Sequence, residues 1–240
     1  FTDGKIFTSL IRFALPVLLA LFLQAMYGAV DLLIVGHFGG DTADVFVSAV
    51  STGSQIMMTL TIVITGLAMG LTVYVGERIG AGKKEEAGEI IGTGISLFAV
   101  ISLIVTVVMV FASSALTKLM RAPAEAFDNT VWYVAICSAG TLFIVAYNLV
   151  GSIFRGIGDS KIPLLTVTIA CVLNILGDLL LVAVFHMGAI GAAVATIFAQ
   201  AMSVIISMFV IRKRKMPFNF SRKYIRLNTI HIKSILKLGT

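Results

Sequence analysis

Two carboxylates, Asp31 and Asp178, stand inside runs of apolar residues long enough to cross a bilayer, for which about 20 residues suffice. Of the 12 acidic residues only these two lie within such runs; the rest fall in loops or near run ends. An ionisable side chain at that depth costs about 3 kcal/mol on insertion scales, so by default it marks a site. Two acids close together in a low dielectric cannot both stay charged without a counter-ion. They hold a proton between them, or exchange it for a cation such as Na⁺ that oxygen ligands suit. That is the chemistry of ion coupling.

The neighbours by spacing are polar. Asn174 precedes Asp178 by four residues, and Tyr27 and Gln24 precede Asp31 by four and seven, so each shares its acid's helix face. At 1.5 Å per residue, Asp31 lies about 10 Å and Asp178 about 6 Å outward of their run centres. Thr196 in the last run and Tyr133 near the start of the fourth lie at similar depth. The expectation is one polar chamber in the outer half of the membrane. The blander alternative makes the amides and hydroxyls packing glue between helices and lets Asp31 reach headgroup water.

The elements that must position these residues are helices. With 58% hydrophobic residues, 12% charged and a mean hydropathy of +1.03, the chain lies far from soluble composition, where charged residues make up about a quarter. Six spans of helical length are expected at about 13–35, 50–75, 90–112, 131–153, 162–185 and 189–211. Residues 1–211 form an all-α transmembrane lobe by this reading, and residues 212–240 a basic linker followed by the start of a second, truncated lobe. Before the first span, Ile6, Phe7, Leu10 and Ile11 share one face of a short helix that can lie on the membrane surface. Pro16, early in the span, removes a backbone donor and predicts a kink.

Placing the N-terminus in the cytoplasm leaves only Lys118 and Arg121, of 18 basic residues, on the outer side. That asymmetry satisfies the positive-inside rule and puts both chain ends inside. The tail RKRKMPFNFSRKYIRLNTIHIK then reads as an anchor against anionic lipid, not a nucleic-acid surface, with Phe220, Tyr224, Ile225 and Leu227 interleaved as in an interfacial segment. HIKSILKLGT at the end resembles TSLIRFALP near the start, which points to a second six-helix repeat beginning there.

Other chemistries find no support. RGIGDSK lacks the GK[ST] ending of a phosphate loop and reads as a tight turn, with Arg155 at the membrane surface. Cys137 and Cys171 fall in apolar runs and read as packing residues. His37 and His186 sit at outer helix ends, where solvated histidines are ordinary. No Ser/His/Asp, Cys/His or HExxH arrangement occurs, so no enzyme and no organic cofactor are expected.

YGAVDLLIVGHFGG, the ERIGAG loop, RGIGDSKIP and LNILGDLLLV together resemble the multidrug and toxic compound extrusion (MATE) transporters, most of all their prokaryotic DinF-like branch. The resemblance covers the entire chain but only the first of that family's two six-helix lobes. It implies an inner-membrane antiporter that expels an amphiphilic, cationic drug or toxic metabolite against inward H⁺ or Na⁺. By the same resemblance the coupling ion sits at Asp31, Asp178 and Asn174, with Gln24, Tyr27, Tyr133, Asn148 and Thr196 lining the chamber and Pro16 marking a bend. Gly151 departs from the pattern, standing where such members can carry a second asparagine. Two alternatives stay open. A lipid-linked oligosaccharide flippase of the same superfamily needs basic groups in its cavity. A six-helix channel or scaffold needs a polar stripe across the full bilayer.

Overall fold

The computed structural model describes residues 6–214, 216–218 and 220–239. The described residues are helical almost throughout. Helix α1 spans Ile6–Phe38, α2 Ala43–Gly80, α3 Lys84–Leu119, α4 Phe127–Ala139, α5 Thr141–Gly156, α6 Lys161–Asp178, α7 Gly188–Lys213 and α8 Thr229–Gly239. Five helical stretches are each long and apolar enough to cross a membrane, α6 counting together with the turn that follows it. The pair α4 and α5 makes a sixth crossing, bent by 53°.

That bend departs from the uninterrupted fourth span expected at 131–153. It falls at Gly140, whose carbonyl accepts from both Phe143 N and Ile144 N, at 2.9 and 3.3 Å. Lacking a side chain, Gly140 lets Ile197 of α7 fill the inside of the corner; a Cβ there would stand 2.6 Å from Ile197 Cδ1. The bend thus follows from a glycine at a helix crossing. A second difference concerns the N-terminus. Among the described residues no separate surface helix precedes the first span, because Ile6–Phe38 is one helix that runs through Pro16. In its first turns Phe7, Leu10 and Ile11 are exposed, as residues facing lipid are. Lys5 lies outside the described residues.

Alternation of the helices puts Arg12, Arg78, Lys83, Lys84, Arg155 and Lys161 at one end of the bundle, called here the basic end. Two hydrophobic clusters hold the bundle. At the far end, Val35, Val50, Tyr133, Val134, Val182 and Ala192 pack together. At the basic end, Ile64, Leu71, Val75, Ile90, Phe98 and Ile235 form the second cluster. Leu60 of α2 packs against both. Polar bonds support the crossings: Thr72 Oγ1 donates to Ser152 O at 3.0 Å between α2 and α5, and Ser203 Oγ to Thr166 O at 2.8 Å between α7 and α6. Large apolar side chains face outward all along the bundle, to 85% exposure at Phe111, an arrangement that only lipid or further protein can cover.

Beyond the spans, α8 docks on α2. Ile235 is fully buried there, and Tyr74 Oη lies 3.1 Å from His231 Nδ1. The other ring nitrogen of His231 faces Glu89 at 3.7 Å, and Arg226 reaches the same carboxylate at 3.9 Å. Phe220, Ile225 and Leu227 are exposed and Tyr224 is half-buried.

Candidate functional site

Asp178 ends α6, and the chain continues through Leu179–Val184 as a π-helical turn. Phe185 N bonds to Leu180 O at 3.0 Å, five residues back, so the helix widens directly after the acid. Such widened turns gather at functional positions. No sequence signal had marked this one, since the run 179–184 is apolar throughout.

α6 packs between α1 and α7, and this sandwich fixes the chamber. Asp31 comes from α1, Asn174 and Asp178 from one face of α6, and Thr196 from α7. All three α1 and α6 residues are buried, Asp178 completely. The Asp31 carboxyl faces Asp178, Asn174 and Thr196. Asn174 Nδ2 donates to Thr196 Oγ1 at 3.3 Å. Four oxygens are then left without a hydrogen-bond partner among the described residues: Asp31 Oδ1, both Asp178 oxygens and Asn174 Oδ1. A buried acceptor without a donor costs about 1–3 kcal/mol, and more when charged. Four partnerless acceptors buried on three neighbouring side chains call for a proton or a small hard cation.

The remaining expected residues divide. Tyr27 lies beside Asp31 and faces Gln200 of α7. Gln24, one turn nearer the basic end, lies beside Tyr147 of α5. Tyr133 is buried on α4, its hydroxyl 3.1 Å from Ser54 Oγ and its ring over Gly53 of α2, where a Cβ would overlap the ring. It still lies within electrostatic range of Asp31 and Tyr27. Asn148 is not brought to the acids. Its Oδ1 accepts from Thr65 Oγ1 at 3.2 Å and its Nδ2 donates to Ile144 O at 2.8 Å, so both ends serve packing of α5 on α2. Pro16 lies nearer the basic end of α1, fifteen residues before Asp31.

Sequence reasoning passed over three neighbours of the chamber. Gln200 follows Thr196 by four residues and so shares its face, a spacing that was readable. Its Oε1 and Tyr147 Oη are buried without hydrogen-bond partners among the described residues. Ser54 had no signal beyond its type. Arg155, expected at the membrane surface, lies in the last turn of α5 and is half-buried. Its Nη1 folds back to 3.2 Å from where a Cβ on Gly151 would stand, because the missing side chain leaves that room open.

The family model MatE matches residues 16–180. A Bacillus subtilis protein described as probable multidrug resistance protein YpnP is 29% identical over 223 residues, covering 92% of this chain and 49% of its own length. Another from the same organism, probable multidrug resistance protein YoeA, is 27% identical over 242 residues, covering 98% and 52%. Among solved structures, a MOP superfamily transporter from Pyrococcus furiosus superposes with a TM-score of 0.89 at 24% identity, over 98% of this chain and 52% of its own. An inward-facing MATE family multidrug resistance transporter superposes at 0.83 and 25% identity, over 90% and 48%. The chain spans about half the length of the curated relatives it matches.

Proposed function

Because this chain belongs to the MatE family, we propose that it supplies one six-helix lobe of a two-lobe multidrug exporter, and that Asp31 and Asp178 couple export to an inward-moving H⁺ or Na⁺. The observation that carries the reading is the set of four partnerless oxygens on Asp31, Asp178 and Asn174, enclosed between α1, α6 and α7. The cation is cargo in this scheme, and no bond in the substrate is made or broken.

The chain's own residues do the following. With the chamber open to the outside, a proton or Na⁺ enters between Asp31 and Asp178 and cancels their mutual repulsion. Asn174 Oδ1 adds a neutral ligand, while the bond from Asn174 Nδ2 to Thr196 holds that amide in place. Neutralisation favours the packing of α1 against α6 that repulsion opposes. Each charge moved through 100 mV contributes about 2.3 kcal/mol, enough to bias a conformational equilibrium of a few kilocalories. The relatives' names speak of multidrug resistance, and amphiphilic cations, expected from the resemblance, are the substrates this reading assigns. Alternating access needs a second lobe to move against, supplied outside these residues.

The test uses the full-length protein in liposomes, following substrate efflux together with proton release and ²²Na⁺ uptake. Asp31→Asn and Asp178→Asn should each abolish gradient-driven efflux. If both variants keep ion-linked efflux at the wild-type rate, the acids are structural and the reading is wrong.

A further inference from the structure

At the basic end, α1 and the turn before α6 enclose a crevice of about 390 Å³ lined by Ser9, Arg12, Ser160 and Lys161, with Asp159 at its side. Its electrostatics are settled by Asp159. Asp159 Oδ1 accepts from the backbone N–H groups of Lys161 and Ile162 at 3.0 and 3.3 Å, and so caps α6. Asp159 Oδ2 pairs with Arg214 of α7 at 2.7 Å. The one acid at the crevice is therefore fully engaged elsewhere. Arg12 on α1 and Lys161 at the start of α6 have no carboxylate within 4 Å among the described residues, so the crevice is lined by a cation from each side with no described counter-ion.

Ser160 adds a hydroxyl to the same opening. The residue is only 4% exposed, lines the crevice, and makes no side-chain hydrogen bond among the described residues. Its hydroxyl is accessible and free to donate to an acceptor in the crevice. Two cations and a hydroxyl converging on one opening are the recognition set for a phosphate oxyanion. The crevice opens where α1 and α6 leave the membrane, and below it Leu15, Leu18, Leu165 and Val172 face outward as lipid-facing residues do.

We propose that Arg12, Lys161 and Ser160 form a binding site for a phosphate group, carried by an anionic phospholipid of the leaflet at the basic end. The site is separate from the acid chamber and does not depend on how transport is coupled. It pins α1 to α6 at the end opposite Asp31 and Asp178, so a bound headgroup braces the helices that must move.

The full-length protein, purified in detergent, would be titrated with phosphatidylglycerol or phosphatidylcholine and bound lipids counted by native mass spectrometry. Arg12→Gln with Lys161→Gln should weaken phosphatidylglycerol binding roughly 25-fold, the product of two surface cations each worth about a factor of five. Ser160→Ala should weaken it about 3- to 10-fold, and phosphatidylcholine binding should not change. Competition by millimolar inorganic phosphate identifies a soluble phosphate as an occupant of the same site; absence of competition assigns it to lipid. Equal phosphatidylglycerol binding by wild type and the double variant overturns the proposal. So does an equal loss in Arg222→Gln with Lys223→Gln, because the attraction would then be diffuse.

Discussion

Asn174 gives one amide hydrogen to Thr196, and its oxygen is buried without a hydrogen-bond partner among the described residues. One bond across α6 and α7 thereby holds the amide beside the Asp31 carboxyl, which faces Asn174 and Thr196 alike. Thr196 therefore acts on the chamber through Asn174.

Thr196→Val keeps the shape and removes the acceptor for Asn174 Nδ2. The amide then loses the bond that fixes it beside the acids, and cation affinity should fall about 3- to 10-fold, measured by Na⁺ or proton titration of the purified protein. Fold stability should change by no more than about 1 kcal/mol, since bonds of this kind between membrane helices average about 0.6 kcal/mol. Unchanged affinity would separate Thr196 from the site.

Replacing either acid should raise stability while ending coupling. In wild type at neutral pH without Na⁺, folding brings two partnerless carboxyl groups together; Asp178→Asn removes one charge and supplies a donor to Asp31. The expected gain is roughly 1–3 kcal/mol, read as a higher Tm in detergent, with the wild type's response to added Na⁺ or acid lost. A lower Tm in the variant would show that the pair is stabilising as it stands.

Gly53→Ala tests the seat of Tyr133. The new Cβ overlaps the ring, which is buried and bonded to Ser54, so ring and α4 must shift together. A cost of about 1–3 kcal/mol is expected from overpacking, measured by thermal unfolding in detergent. Gly28→Ala, with nothing within 4 Å of its Cβ, is the control and should cost little or stabilise α1.

Tyr74→Phe removes the partner of His231 Nδ1 without opening a cavity. Docking of α8 should weaken by about 1 kcal/mol, and protease cleavage between α7 and α8 should quicken about fivefold. His231→Phe, which also loses the contact to Glu89, should quicken it further.

Much of the arrangement was legible because membrane physics leaves few options. Apolar length gave the crossings, and the cost of a charge in lipid singled out Asp31 and Asp178 before any coordinates. Helix periodicity then placed Asn174 on the face of Asp178 and Tyr27 on the face of Asp31. Thr196 came into range by depth alone. What periodicity could not supply was rotation of one helix against another: Asn148 has the right residue type but faces Thr65 of α2. The bend at Gly140 was hidden because a glycine inside an apolar run is equally compatible with a straight helix. The π-helical turn after Asp178 was hidden for a deeper reason, since Leu, Val and Ala accept either winding.

The two hydrophobic clusters, with Leu60 touching each, make the lobe a pair of vaults sharing a keystone. Damage inside one vault is confined there, and substitutions in different vaults should add in their effect on stability. Leu60 is the exception, because a smaller residue there loosens both ends at once. The acid chamber belongs to the far vault, while α8 and the phosphate crevice belong to the basic end. Evolution can therefore retune the attachment of this lobe to lipid or to the following helix without disturbing the geometry of its two acids.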